Sequence, residues 1–147
     1  MAGCSGTGES EPGRVIRAEV ERVVDGDTIT ARVDGESLYV RYIGVDTPES
    51  VAPGEPVECF GPEAAERNRL LVEGRTVRLV VGEEPYDPYD RLLAYVYTDN
   101  RMVNAELIRT GMAETLTIPP NDRFSDRFER LETAARDEGR GRWSYCG

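Results

Sequence analysis

Two carboxylates, Asp46 and Glu49, stand three residues apart in Val45-Asp46-Thr47-Pro48-Glu49, and Arg41 precedes the first by five. A second acidic pair, Asp25 and Asp27, flanks Gly26, and a second arginine, Arg91, lies far downstream after Tyr89-Asp90. Carboxylates can hold a hard cation or take a proton from water, and guanidinium forks grip phosphate oxygens in a geometry lysine cannot copy. Together these groups suit hydrolysis of a phosphate ester assisted by a metal. Each fragment alone has a plainer reading: Asp-Gly-Asp as a hairpin turn with solvated acids, Asp-Thr-Pro-Glu as a capped turn, the arginines as surface residues. The joint pattern is what points to one site, with acids at one strand start and another strand end and arginines on separate strands.

Composition removes most rival chemistries. The chain has no histidine, which excludes a Ser-His-Asp triad, a Cys-His pair, a histidine base and His-ligated zinc. Its three cysteines form no Cys-x-x-Cys pair, so a zinc framework is not expected. All 18 basic residues are arginine, set against 28 acids, for a formal net charge of −10. That sign opposes a nucleic-acid partner unless a divalent cation intervenes or high salt screens the field, to about 3 Å at roughly 1 M. Acid excess without lysine fits a halophilic habitat, and arginine in place of lysine also fits high genomic GC content; both readings stand.

The elements that must carry these groups can be read from periodicity and turn residues. Alternating apolar residues predict strands over 14–24, 28–33 and 39–45, with Asp25-Gly26 and Asp34-Gly35 as the turns of a three-strand meander. Val40, Tyr42 and Gly44 fall on one face of the third strand, and Tyr39, Arg41, Ile43 and Val45 on the other. Pro48 ends it. Residues 50–60, with Pro53, Gly54 and Pro56, read as a mobile loop beside the site. Gly61-Pro62-Glu63 opens a helix with an Ala64, Ala65, Leu71 and Val72 face, and Gly74 closes it. Strands follow over 76–81 and 91–97, then a short helix after Asn104 that stops at Gly111. A last helix over about 122–138 places Phe124, Phe128, Leu131 and Ala135 at core spacing, with Trp143 folding back on that core. Residues 1–13 read as a flexible leader and 14–147 as one domain.

Several motifs recur together and in order: Val24-Asp25-Gly26-Asp27-Thr28, Val45-Asp46-Thr47-Pro48-Glu49, Gly61-Pro62-Glu63-Ala64, Tyr89-Asp90-Arg91-Leu92-Leu93-Ala94-Tyr95, Met102-Val103-Asn104 and residues 139–143. Over residues 14–143 the chain resembles the staphylococcal (micrococcal) nuclease family. The resemblance implies an α+β, mainly β fold, a five-stranded OB barrel with three α-helices. It implies that Asp27 and Asp46 ligate Ca²⁺ through their carboxylates and Thr47 through its backbone carbonyl, while Asp25 orients ligands and water. Glu49 would hold the attacking water, Arg41 and Arg91 would clamp the phosphate, and Tyr89 would stack on a base. The implied reaction is hydrolysis of DNA and RNA, single strands preferred, leaving 3′-phosphates, by a monomer. The rival reading is a non-catalytic nucleic-acid-binding module of the same fold.

The chain departs from the family pattern in the 50–60 loop, which has no lysine, at Pro88 before Tyr89, and at Thr117, where a second aromatic is expected. Cys59 and Cys146 are the expected disulfide pair, leaving Cys4 free. Such a bond belongs with an exported or cell-surface protein. Ala2-Gly3-Cys4 followed by a Ser/Gly/Glu stretch resembles the end of a lipoprotein signal, with Cys4 as the lipidated residue and membrane anchor; an unstructured N-terminus with an incidental cysteine reads the same residues equally well.

Overall fold

The computed structural model describes residues 11–49 and 58–146, so Cys4 and most of the expected leader and mobile loop lie outside the described residues. Strands β1 (Val15–Asp25), β2 (Thr28–Val33) and β3 (Glu36–Tyr42) form the antiparallel meander. The β2–β3 turn has Asp34 at φ 50° and Gly35 at φ 84°, the left-handed pair that matches strand twist in a tight hairpin. After β4 (Val45–Asp46) come α1 (Gly61–Val72), β5 (Thr76–Tyr86), β6 (Leu92–Thr98), β7 (Arg101–Met102), α2 (Val103–Arg109), β8 (Glu114–Thr115), α3 (Ser125–Glu138) and α4 (Arg142–Tyr145).

Antiparallel pairing runs β3-β2-β1-β5-β6, and a parallel β3–β6 ladder closes the five long strands into an OB barrel. Alternation along each strand puts one set of side chains inside, for example Ile16, Ala18 and Val20 on β1 and Val77, Leu79 and Val81 on β5. Helix α3 caps the barrel through Phe128, which is 2% exposed and meets Tyr95 and Phe124 ring to ring.

Three local expectations change. Ile43 and Val45 are buried like Val40 and Tyr42, because the strand breaks after Tyr42 and Gly44, at φ 80°, turns the chain. No side chain fits at Gly44: a Cβ there would lie 2.6 Å from the Phe128 ring. Strand β5 runs past Val81 to Tyr86 across a register shift. There the Asn121 side chain takes the place of a neighbouring strand, accepting from the Glu84 N–H and donating to the Glu84 carbonyl at 2.9 and 3.0 Å. The last long helix starts at Ser125, since Asn121 to Phe124 are tied into turns with Ile118, Pro120 and Asp122.

Candidate active site

The β1–β2 turn carries Asp25 and Asp27, and both are buried, at 7% and 6% exposure. Buried carboxylates need donors, and the turn supplies them. Asp25 Oδ1 accepts from the Gly26 N–H at 3.0 Å. Asp27 Oδ1 accepts from the Thr28 hydroxyl at 2.9 Å, and its Oδ2 from the Thr47 N–H at 3.1 Å. The turn sits so close to its neighbours that a Cβ on Gly26 would come within 2.6 Å of Thr47 Oγ1 and 2.9 Å of Ala64. Fully buried Asn68 on α1 fixes it from behind, donating to the Asp25 carbonyl at 2.9 Å and accepting from the Tyr42 hydroxyl at 2.7 Å. Asn68→Ala strands both partners, so we expect a loss of about 2–4 kcal/mol in urea-melt stability.

Arg41, at the end of β3, joins two halves of the site. Its Nη1 donates to the Tyr42 and Val45 carbonyls at 2.7 and 2.9 Å, pinning the turn around Gly44. Its Nη2 lies 3.4 Å from Asp27 and 3.8 Å from Asp46. Buried Asn104 holds the same turn from α2, bonding the Ile43 carbonyl at 2.8 Å and the Val96 N–H at 2.9 Å.

On the far side of Arg41 opens a cleft of about 680 Å³, lined also by Tyr86, Asp87, Tyr89, Arg91, Leu93 and Leu116. The β3–β6 register pairs Arg41 with Leu93. Arg91 immediately precedes β6 and lines the same cleft as Arg41 and Leu93. Asp87 grips Arg91 through Nε at 2.7 Å. The N–H groups and guanidinium of Arg91 and the N–H of Tyr89 hold the Asp87 carboxyl below its usual range against the opposing effect of burial. Tyr89 is 78% exposed, with the Arg91 guanidinium 5.4 Å from its ring centre.

The structure thus brings Asp27, Arg41 and Asp46 into direct contact and places Arg91 and Tyr89 in the cleft that Arg41 shares. Arg91 has Asp87 and Tyr89 as its neighbours and not the acids. Glu49 joins the acids at Asp25: a hydrogen bond to Asp25, then burial, then the charges of Asp25, Asp27 and Glu58 push its carboxyl up to about 7. Partial burial and then Asp27 raise Asp46 as well, against the pull of Arg41.

Among the described residues, no three acidic or thiol side chains form a finished metal cage. The donor set nonetheless suits a hard cation. Burial and the charges of Asp27 and Glu58 raise the proton affinity of Asp46, and the bond to Asp25, burial and the charges of Asp25, Asp27 and Glu58 raise that of Glu49; among the described residues Thr47 Oγ1 is buried without a hydrogen-bond partner. Oxygen donors crowded in negative excess are what Ca²⁺ or Mg²⁺ relieves.

A model of the family described as Staphylococcal nuclease homologue matches residues 39–145. The chain belongs to the staphylococcal nuclease family. It is 40% identical over 124 residues to the thermonuclease of Staphylococcus intermedius, spanning 84% of this chain and 74% of the relative. Against the thermonuclease of Staphylococcus hyicus it is 37% identical over 126 residues, spanning 86% and 75%. Endonuclease YncB of Bacillus subtilis (strain 168) is 35% identical over 136 residues, spanning 91% of this chain and 64% of that one.

Within this family member, two supporting residues escaped the reading of sequence alone. Asn68 carried a signal, since a polar residue between Ala64 and Val72 at four-residue spacing lies on a buried stripe. Glu58, whose Oε1 accepts from the Glu49 N–H at 2.7 Å, carried none, because its partner is adjacent only in space.

Proposed function

We propose that this member of the staphylococcal nuclease family is a calcium-dependent nuclease that hydrolyses phosphodiester bonds of DNA and RNA and leaves 3′-phosphates. The observation that carries the reading is Arg41. Its guanidinium lies against Asp27 and Asp46 and also lines the cleft that holds Arg91, so cation-seeking and phosphate-seeking groups meet at one residue.

Asp27, Asp46 and the Thr47 carbonyl would hold the cation, with Asp25 orienting them. When bound, Ca²⁺ supplies charge neutralisation and Lewis-acid polarisation of a phosphate oxygen. Glu49 takes the proton from the attacking water, a role matched by a carboxyl pushed up to about 7. Arg41 and Arg91 donate to the phosphate oxygens as charge grows on them. The 5′-oxygen leaves, and Tyr89 offers an exposed ring on which one base can stack. A single-stranded substrate supports such stacking best, and the domain acts as a monomer. The Cys59–Cys146 disulfide supports an exported or cell-surface setting, where calcium is abundant.

The test is incubation of labelled single-stranded DNA and RNA with Ca²⁺ or with chelator, at low and high salt. Cleavage that requires Ca²⁺ and yields 3′-phosphate, 5′-hydroxyl ends is the expected result. Retention of the oligonucleotide without cleavage under every condition would make the protein a binding module instead.

A further inference from the structure

Glu49 is held by a residue from the far end of its loop. Its N–H donates to Glu58 Oε1 at 2.7 Å, and its carbonyl accepts from the Glu58 N–H at 2.9 Å. The next residue, Cys59, is bonded to Cys146 across 87 residues of chain. Phe60 then stacks on Tyr145, ring centres 5.8 Å apart. The same C-terminal segment also reaches the strand paired with Asp46. Arg142 Nη1 meets Glu114 Oε2 at 2.6 Å, and Glu114 is the β8 residue paired with Asp46. The last turn of the chain therefore braces both Glu49, through Glu58, and the short strand that carries Asp46.

We propose that Glu58 is a positioning residue for Glu49 and that the Cys59–Cys146 bond keeps it in place, making the C-terminal segment a redox-sensitive clasp on the carboxylate that activates water. The inference rests on the role given above to Glu49. Two hydrogen bonds between exposed residues fix a side chain weakly on their own. Tying Cys59 to the docked C-terminus removes the freedom that would let them open. Cys59 is exposed, so a dithiol can reach the bridge, giving two electrons and two protons to the Sγ–Sγ bond. Two thiols result, and the reductant becomes its own disulfide.

Three variants of the full chain test the clasp: Glu58→Ala, Glu58→Gln, and Cys59→Ser combined with Cys146→Ser. With Ca²⁺ and a labelled oligonucleotide, the alanine and double-serine variants are expected to lose about 10- to 100-fold in kcat, with KM held within about twofold. Glutamine keeps an oxygen that accepts from the Glu49 N–H and restores most of the rate. Joining Glu58→Ala to the double-serine change costs no more than either alone. Hydrogen exchange at the Glu49 amide follows the same order, slow in the parent and the glutamine variant and fast in the others and in dithiothreitol. Unchanged Glu49 protection after loss of the bridge, a folded double-serine variant with parental kcat, or a glutamine variant no better than alanine would overturn the proposal. A parent inactive with Ca²⁺ would refute the function proposed for Glu49, and the exchange measurement would still decide the clasp.

Discussion

Glu49→Gln lowers kcat by about 10²- to 10⁴-fold, the range for loss of a general base, while the protein stays folded. The glutamine side chain has nearly the same shape and can still hydrogen-bond, so what is removed is the capacity to take a proton. In the parent that capacity is set near neutrality: the bond to Asp25, burial and the neighbouring charges push the Glu49 carboxyl from 4.5 to about 7. The same shift has a consequence for stability in chelator. Folded protein holds this proton more tightly than unfolded chain does, so the contribution is complete below about pH 4.5 and disappears as pH rises through about 7. Glu49→Gln has no such proton to lose. Its metal-free form should melt higher than the parent at pH 8 and show a flatter dependence between pH 5 and 8. Thermal melts in chelator and steady-state rates in Ca²⁺ check the two halves separately, and a variant with parental kcat would take Glu49 out of the reaction.

Arg91→Ala is the second large effect, a fall of about 10²- to 10³-fold in kcat, typical for removing a donor aimed at developing charge. Asp87 occupies Nε of Arg91, which leaves the Nη edge of the fork for a phosphate. Lysine has no second edge to divide in this way, so Arg91→Lys should recover little. Stability should fall only modestly, because what is lost is one partly exposed ion pair, worth about 0–1 kcal/mol, and the contact with the exposed Tyr89 ring, worth about 0.5–1 kcal/mol. Rates and denaturant midpoints measured on one preparation separate the outcomes. An Arg91→Ala protein that keeps its rate, or loses it only in proportion to lost fold, would show that Arg41 holds the phosphate without it.

The meander could be read in advance because two Asp-Gly turns punctuate clear two-residue alternation, and α1 because Pro62 and Gly74 bracket it. The end of β5 could not. Gly82-Glu83-Glu84-Pro85 looks like a strand breaker, and only the distant Asn121 side chain, bonded to both backbone groups of Glu84, keeps the segment extended. The third strand misled in a different way. Gly44 fits the alternation on the Val40 and Tyr42 face, but its left-handed φ of 80° resets the phase, so Ile43 and Val45 are buried too. At the site, side-chain types marked the acids and arginines, whereas their division into an acid cluster and a cleft joined by Arg41 follows from the closing β3–β6 ladder, a long-range pairing that no local pattern encodes. The bonds of Asp87 to Arg91 and Tyr89 tie the turn before β6 to the cleft.

Trp143 is the chain's single tryptophan, and it lies between two guanidinium groups, with Arg136 4.0 Å and Arg142 5.0 Å from its ring. An indole beside fixed positive charge emits at a wavelength set by that charge, and the nearer charge, Arg136 on α3, stays in place only while α4, which carries Trp143 and Arg142, is docked there. The protein therefore carries its own optical gauge of whether its tail is seated, one that needs no added dye and can be followed in real time.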